Sequence, residues 1–229
     1  METLFNGFTI DFPQDAFPLS TDSMALSGFI RLGKNAKVLD LGSGCGTLGI
    51  LLCARKPDCS VVGIELDQAA HLAALQNAKD NQISLRLSSI WEDLKNIPKL
   101  FPSGSFSCCV SNPPYFSGGP ESKTTPLARR EDACSMEELF SAAAWALRYG
   151  GDFYLVHRPE RLGELFAQAA QHKLTPKRLC LLRHCTDGPV TLVLVQCRKG
   201  GKHGLIWEEE SFFHPDGSPT DYYRKLYHL

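Results

Sequence analysis

Lys37-Val38-Leu39-Asp40-Leu41-Gly42-Ser43-Gly44-Cys45-Gly46-Thr47-Leu48-Gly49 is the stretch on which the fold turns. Lys37–Leu41 reads as a buried strand, Gly42–Gly46 as a tight turn, and Thr47–Arg55 as a helix that stops at Pro57. Glycines let a chain turn sharply and approach a ligand with no side chain in the way. Free amides at the helix start then face that ligand. Gly44–Gly49 also fits the G-x-G-x-x-G pattern, so the glycines alone leave a dinucleotide open. Asp40, two residues before Gly42, favours a ligand with a cationic amino group, such as the methionine part of S-adenosyl-L-methionine, and sits badly beside a pyrophosphate.

Working outward, Ser60–Glu65 is a second apolar strand, and Glu65 is placed to accept ribose hydroxyls. Asp67 caps an Ala-rich helix that runs to about Lys79, and Ile83–Ser89 alternates like a strand. Phe106–Ser111 is a further buried strand. Helices are expected over Ser23–Leu32, Ser135–Arg148 and Arg158–Lys173, with a strand at Asp152–His157. Lys177–Arg183 and Val190–Cys197 flank a turn at Asp187-Gly188-Pro189 and form a hairpin. The segment from Ser117 to Ala128 reads as a loop, and the tail with Pro215, Gly217 and Pro219 reads as irregular. Alternating strands and helices imply an α/β fold, one mostly parallel sheet covered on both faces, with an antiparallel strand at its end.

Composition narrows the class. The 229 residues carry a net charge of −1, so any nucleic-acid partner must be held by a local basic face. Arg148 to His203 holds ten Lys/Arg against four Asp/Glu. Nine scattered cysteines without a C-x-x-C pair fit reduced thiols, and the seven histidines show no metal-ligand spacing, so no metal is expected. Met1–Phe17 has no signal-peptide pattern and no apolar run reaches a membrane span, so a cytoplasmic protein is expected.

Ser111-Asn112-Pro113-Pro114-Tyr115 follows the fourth strand of the series, which opens on the same sheet edge as the glycine turn. An amine attached to an aromatic ring or a carbonyl is a poor nucleophile because its lone pair is delocalised. The Asn112 side-chain oxygen and the Pro113 carbonyl can each accept one N–H, favouring a pyramidal nitrogen aimed at a methyl group. Pro113 and Pro114 stiffen those acceptors, and Tyr115 can stack on a planar substrate. The tetrad therefore points to methyl transfer onto a planar exocyclic amine.

The chain resembles the class I methyltransferases that carry N-P-P-Y and, within them, the bacterial tRNA adenine-N6 methyltransferases that modify the adenosine next to the anticodon of a valine tRNA. The resemblance runs through Phe17-Pro18-Leu19-Ser20-Thr21-Asp22, Leu39–Gly46, Glu65-Leu66-Asp67 and Asn112-Pro113-Pro114-Tyr115-Phe116. It continues through Ala128-Arg129-Arg130-Glu131, Arg158-Pro159-Glu160-Arg161-Leu162 and Pro176-Lys177-Arg178-Leu179. It implies a seven-stranded Rossmann-like sheet with its last strand antiparallel, in a single domain. Residues 1–35 would form a cofactor-covering segment, 36–200 the core and 201–229 a tail.

The same resemblance implies S-adenosyl-L-methionine as cofactor, held by Thr21, Asp22, Asp40, Gly42, Gly44, Gly46, Glu65, Leu66 and Asn112. Two positions, Ser89 and Asp93, compete for the cofactor's adenine amine. It implies tRNA as partner, met by Tyr115, Phe116, Arg129 and Arg130, with Arg130 where the family often has His, and a monomer or weak dimer. Related tetrads serve enzymes that methylate a release-factor glutamine amide or a guanine amine of ribosomal RNA, and the tetrad alone does not separate these acceptors. A methyltransferase-like domain that only binds RNA or protein would show a degraded turn or tetrad.

Overall fold

The computed structural model describes residues 2–13, 19–113 and 134–229. Its first strands, β1 (Glu2–Thr3) and β2 (Thr9–Ile10), pair antiparallel as a small separate ladder. Helix α1 (Thr21–Phe29) leads to β3 (Lys37–Leu41), α2 (Thr47–Arg55), β4 (Ser60–Glu65), α3 (Gln68–Asp80) and β5 (Leu87–Trp91). Then follow α4 (Ile97–Leu100), β6 (Phe106–Ser111), α5 (Met136–Ala146), β7 (Leu147–His157) and α6 (Leu162–Gln171). The chain ends with β8 (Leu174–Cys185), β9 (Val190–Lys199), β10 (Ile206–Phe213) and α7 (Asp221–Tyr227).

The main sheet has the order β10-β8-β9-β7-β6-β3-β4-β5. Only β9 runs antiparallel to its neighbours, pairing β7 and β8. The expected Rossmann-like arrangement is therefore present, with an eighth strand added at the β8 edge. Both faces are covered, which is why the strands read as near-continuous apolar runs. Val38, Val61, Val110, Tyr154 and Leu194 pack under α1 and α2 on one face. Leu39, Ile64, Phe153 and Val195 pack under α5 and α6 on the other.

Several expectations shift. Strand β7 begins at Leu147, inside the helix expected to run to Arg148 and five residues before the strand expected at Asp152. Helix α1 begins two residues early, because the Ser20 hydroxyl accepts the Ser23 amide at 3.2 Å and caps it. Strand β5 begins at Leu87 because Arg86 and Leu87 donate to the Ile83 carbonyl in a turn, which leaves Leu85 fully exposed. The tail is ordered: β10 pairs parallel with β8 from Ile206 to Phe213, and α7 packs beneath it. Glu208-Glu209-Glu210 lacks the apolar alternation of a strand. What holds it is distant in sequence. The buried Arg178 guanidinium forks onto both Glu208 carboxylate oxygens at 3.0 and 2.9 Å. It also donates to the Phe29 carbonyl and stacks 4.0 Å over the Phe29 ring.

The segment around β2 is held by side chains where a neighbouring strand would be. Asn81 brackets Thr9, accepting its amide at 2.8 Å and donating to its carbonyl at 2.7 Å. Asn77 brackets Asp11 in the same way, at 2.9 Å each, and also donates to the Cys45 carbonyl of the glycine turn at 3.0 Å. Both asparagines lie on or directly after α3. No helix among the described residues is long and apolar enough to cross a membrane.

Candidate active site

The strand end and the glycines build the floor of the site. Gly42, Gly44 and Gly46 have φ of 73°, 54° and 82°, the left-handed region that favours glycine. Gly46 is the N-cap of α2, and a Cβ there would sit 3.2 Å from that of Ala74 on α3. The Gly42 and Ser43 amides both donate to the Ile64 carbonyl at 3.0 Å, which folds the turn across the end of β4. The expected turn thus forms where β3 meets α2.

Asp40 lies beneath this turn with 1% exposure, and neither of its carboxylate oxygens has a hydrogen-bond partner among the described residues. Burial raises its pKa to about 8, the negative Glu65 adds to the rise, and the nearby Gly49 amide offsets part of it. The Ser43 hydroxyl is buried and unpartnered among them as well. Buried polar groups are ordinarily satisfied, so two such orphans in one turn mark a place for a ligand with donors and a positive charge. The ammonium of the methionine part of S-adenosyl-L-methionine fits that requirement.

Glu65 closes the end of β4. One oxygen accepts the Gly44 amide at 2.7 Å and the other the Asp67 amide at 2.8 Å. Each carboxylate oxygen keeps lone-pair capacity for a hydroxyl. Leu66 is half exposed beside it, and its carbonyl accepts the Trp91 indole N–H at 2.9 Å. That indole contact was not among the expected site features. Trp91 pairs with Glu65 in the β4–β5 register, which is the signal that would have found it.

The two candidates for the adenine amine occupy different places. Ser89 shares a row with Gly63 and Asp40 across β5, β4 and β3. Its hydroxyl is engaged with His71 Nδ1 at 2.9 Å. Asp93 lies beyond the end of β5, where it caps a short turn by accepting the Lys95 amide at 2.9 Å. Thr21 and Asp22 open α1, with the Thr21 hydroxyl 3.4 Å from an Asp22 oxygen.

Asn112 follows β6, the strand next to β3, so it emerges on the same edge as the glycine turn. The Ser111 hydroxyl donates to the Leu41 carbonyl at 2.7 Å and ties the two strand ends together. The Asn112 side-chain amide donates to the Ser23 hydroxyl oxygen at 2.9 Å, across 89 residues of sequence. Its oxygen has no partner among the described residues. Pro113 is buried behind it. Pro114, Tyr115, Phe116, Arg129 and Arg130 lie outside the described residues.

The basic stretch does not form one face. Arg148, Lys173, Lys177, Arg198, Lys199 and Lys202 lie toward the amino edge of the parallel strands, opposite Asn112. Arg158, Arg161 and Arg183 lie toward the carboxyl edge, the edge of Asn112. At the amino edge Arg198 forks onto Asp152 at 2.8 and 2.9 Å. Lys199 donates to the Ala144 and Leu147 carbonyls, and Lys177 to that of Lys202.

Residues 22–173 match the family model of the methyltransferase small domain. The chain belongs to that family. This methyltransferase small domain is 28% identical to a tRNA1(Val) (adenine(37)-N6)-methyltransferase from Photobacterium profundum, over 97% of this chain and 98% of the relative. It is 31% identical to a protein of the same name from Shewanella halifaxensis, over 79% of this chain and 72% of the relative. Among solved structures it is similar to a predicted O-methyltransferase, Atu636, from Agrobacterium tumefaciens. That pair has a TM-score of 0.75 at 19% identity, covering 91% of this chain and 96% of the other. The family and the class I methyltransferase fold expected from the motifs are both borne out.

Proposed function

We propose that this methyltransferase moves the methyl group of S-adenosyl-L-methionine to the exocyclic N6 amine of an adenine in tRNA, the adenosine next to the anticodon of a valine tRNA. The observation that carries the reading is Asn112 at the end of β6, its side-chain oxygen without a partner among the described residues, beside the Asp40 turn at the end of β3. The names of the two relatives support the acceptor.

In this reading Asp40 and Ser43 lie under the cofactor's methionine part, and the Gly42, Gly44 and Gly46 backbone leaves room for it. Glu65 takes the ribose hydroxyls and Leu66 lies against the adenine. Ser89 or Asp93 meets the adenine amine, and Thr21 and Asp22 cover the cofactor. The sulfonium supplies an activated methyl group and a good leaving group. Asn112 Oδ1 and the Pro113 carbonyl accept the two N–H groups of the acceptor, which holds the lone pair in line. The extra proton leaves after transfer, so no strong base is required, and proximity and orientation supply most of the rate. Tyr115 and Phe116 stack on the flipped base, and Arg129 and Arg130 hold the RNA backbone. The protein acts in the cytoplasm, without a metal, as a monomer or weak dimer.

The test is to incubate the protein with labelled cofactor and tRNA and digest the product to nucleosides. N6-methyladenosine is the expected product. Its absence overturns the reading.

A further inference from the structure

We propose that Asn77 is a positioning residue for the cofactor: it holds the Cys45–Gly46 peptide of the glycine turn in the attitude that binding requires. The proposal rests on the reading of the turn above Asp40 as the cofactor's seat and adds a residue to it.

The turn does not hold its shape by sterics. Gly44 and Gly46 flank Cys45 with φ of 54° and 82° and carry no Cβ, so the peptides between them have many attitudes open. Hydrogen bonds choose among those attitudes. On the strand side, Glu65 accepts the Gly44 amide at 2.7 Å, and the Ser43 carbonyl accepts the Gly46 amide at 2.9 Å. On the helix side, Asn77 of α3 donates to the Cys45 carbonyl at 3.0 Å. The Cys45 carbonyl and the Gly46 amide belong to one peptide, which is therefore gripped at both ends. Gly46 is the N-cap of α2, so fixing the peptide before it fixes where the helix amides begin.

The Asn77 amide has one orientation that satisfies its partners. Its oxygen accepts the Asp11 amide at 2.9 Å, and its NH2 group donates to the Asp11 carbonyl at 2.9 Å and to the Cys45 carbonyl at 3.0 Å. A backbone N–H only donates and a carbonyl only accepts, so a turned amide would lose all three bonds. At 3% exposure the side chain is screened from competing water, and the Cys45 carbonyl is drawn into the protein. Ala74 lies on the same face of α3 and meets the turn by packing, since a Cβ on Gly46 would sit 3.2 Å from its own. Helix α3 thus supports the turn at two points, by contact at Ala74 and by hydrogen bond at Asn77.

Calorimetric titration of the full chain with S-adenosyl-L-homocysteine tests this and needs no acceptor. A loosened turn is competent to bind for only part of the time, and Kd rises by the inverse of that fraction. Asn77→Ala is expected to raise Kd about tenfold, the scale of one lost buried hydrogen bond, with stoichiometry and far-UV circular dichroism near the parent's. A protein that is misfolded in part instead loses sites and keeps the parent Kd in those that remain. Asn77→Leu, similar in volume and without donors, should raise Kd as Asn77→Ala does, which answers for the cavity that alanine leaves. Asn81→Ala is the control. It frees Thr9 and leaves the Cys45 carbonyl held, so its Kd should stay within about twofold of the parent's.

A parent-like Kd in both Asn77 variants overturns the assignment. An equal rise in Asn81→Ala also overturns it and places the effect in the amino-terminal segment. Loss of the folded state in both Asn77 variants makes Asn77 a residue of the fold alone, and the assignment falls. A parent protein that binds no S-adenosyl-L-homocysteine overturns the reading of the turn itself, before any variant is compared.

Discussion

The two edges of the sheet differ in the charged groups they leave unmatched. At the carboxyl edge, Asp40 and Ser43 are buried with no partner among the described residues, and the Asn112 side-chain oxygen has none among them either. At the amino edge, Arg198 is matched by Asp152, and Lys199 satisfies two carbonyls at 2.6 and 2.7 Å. The amino edge also holds a buried atom with no partner among the described residues, His172 Nε2, but the one buried carboxylate among them, Asp40, lies at the carboxyl edge. The excess of cations counted along Arg148–His203 left a basic face and ordinary solvated surface both open, and most of those cations support the end remote from Asn112.

The sharpest way to break the contrast is Asn112→Ala. It is expected to lower kcat on the order of 10²–10³-fold, the range for a lost electrostatic contact at a reacting centre. Cofactor affinity in calorimetry should stay nearly unchanged. Loss of both together would make Asn112 a structural residue of the carboxyl edge.

Asp40→Asn is expected to act in two directions. It removes the countercharge for the cofactor's amino group, so Kd should rise about 10–100-fold, the scale of a hydrogen bond to a charged group. It should also stabilise the ligand-free protein. The carboxyl is raised from 3.8 to about 8 in the fold, so between those values the unfolded chain has released a proton that the native state keeps. Stability conferred by the neutral form is therefore full below about pH 4 and lost as pH rises to 8. Denaturant unfolding across that range should show a falling slope for the parent relative to Asp40→Asn. The gap above pH 8 should be on the order of 2–5 kcal/mol.

Substituting Arg129 and Arg130 by alanine together should weaken tRNA binding and flatten its salt dependence by up to about two in log–log slope. Arg198→Ala sharpens the same contrast from the other edge. It should leave tRNA affinity and its salt slope unchanged. Stability should fall by only about 0.5–1 kcal/mol, because the Arg198 side chain is nearly half exposed.

The parts legible in the sequence were those set by neighbours along the chain. Lys37–Gly49 declares strand, turn and helix through an apolar run, three left-handed glycines and a breaker at Pro57. Asp40 and Glu65 were legible because strand register puts them at known distances from the turn. The rest depends on partners far away. Strand β10 looks unlike a strand because its Glu208 is neutralised by Arg178, thirty residues earlier. Ser23 carries no local mark of its contact with Asn112, which lies 89 residues on. Alternation misplaced β5 because Leu85 fits the pattern and points into water.

Asn77 and Asn81 give the amino-terminal segment a kinetic character of its own. An amide in a sheet is released only when its ladder opens, whereas the Thr9 and Asp11 amides are each held by one side-chain oxygen, of Asn81 and Asn77. Their amides should therefore exchange with solvent deuterium through a small local opening, well below the cost of global unfolding. Since Asn77 also grips the Cys45 carbonyl, that opening loosens the turn above Asp40. The exchange rate of two backbone protons near the start of the chain thus becomes a clock for the turn proposed to receive the cofactor.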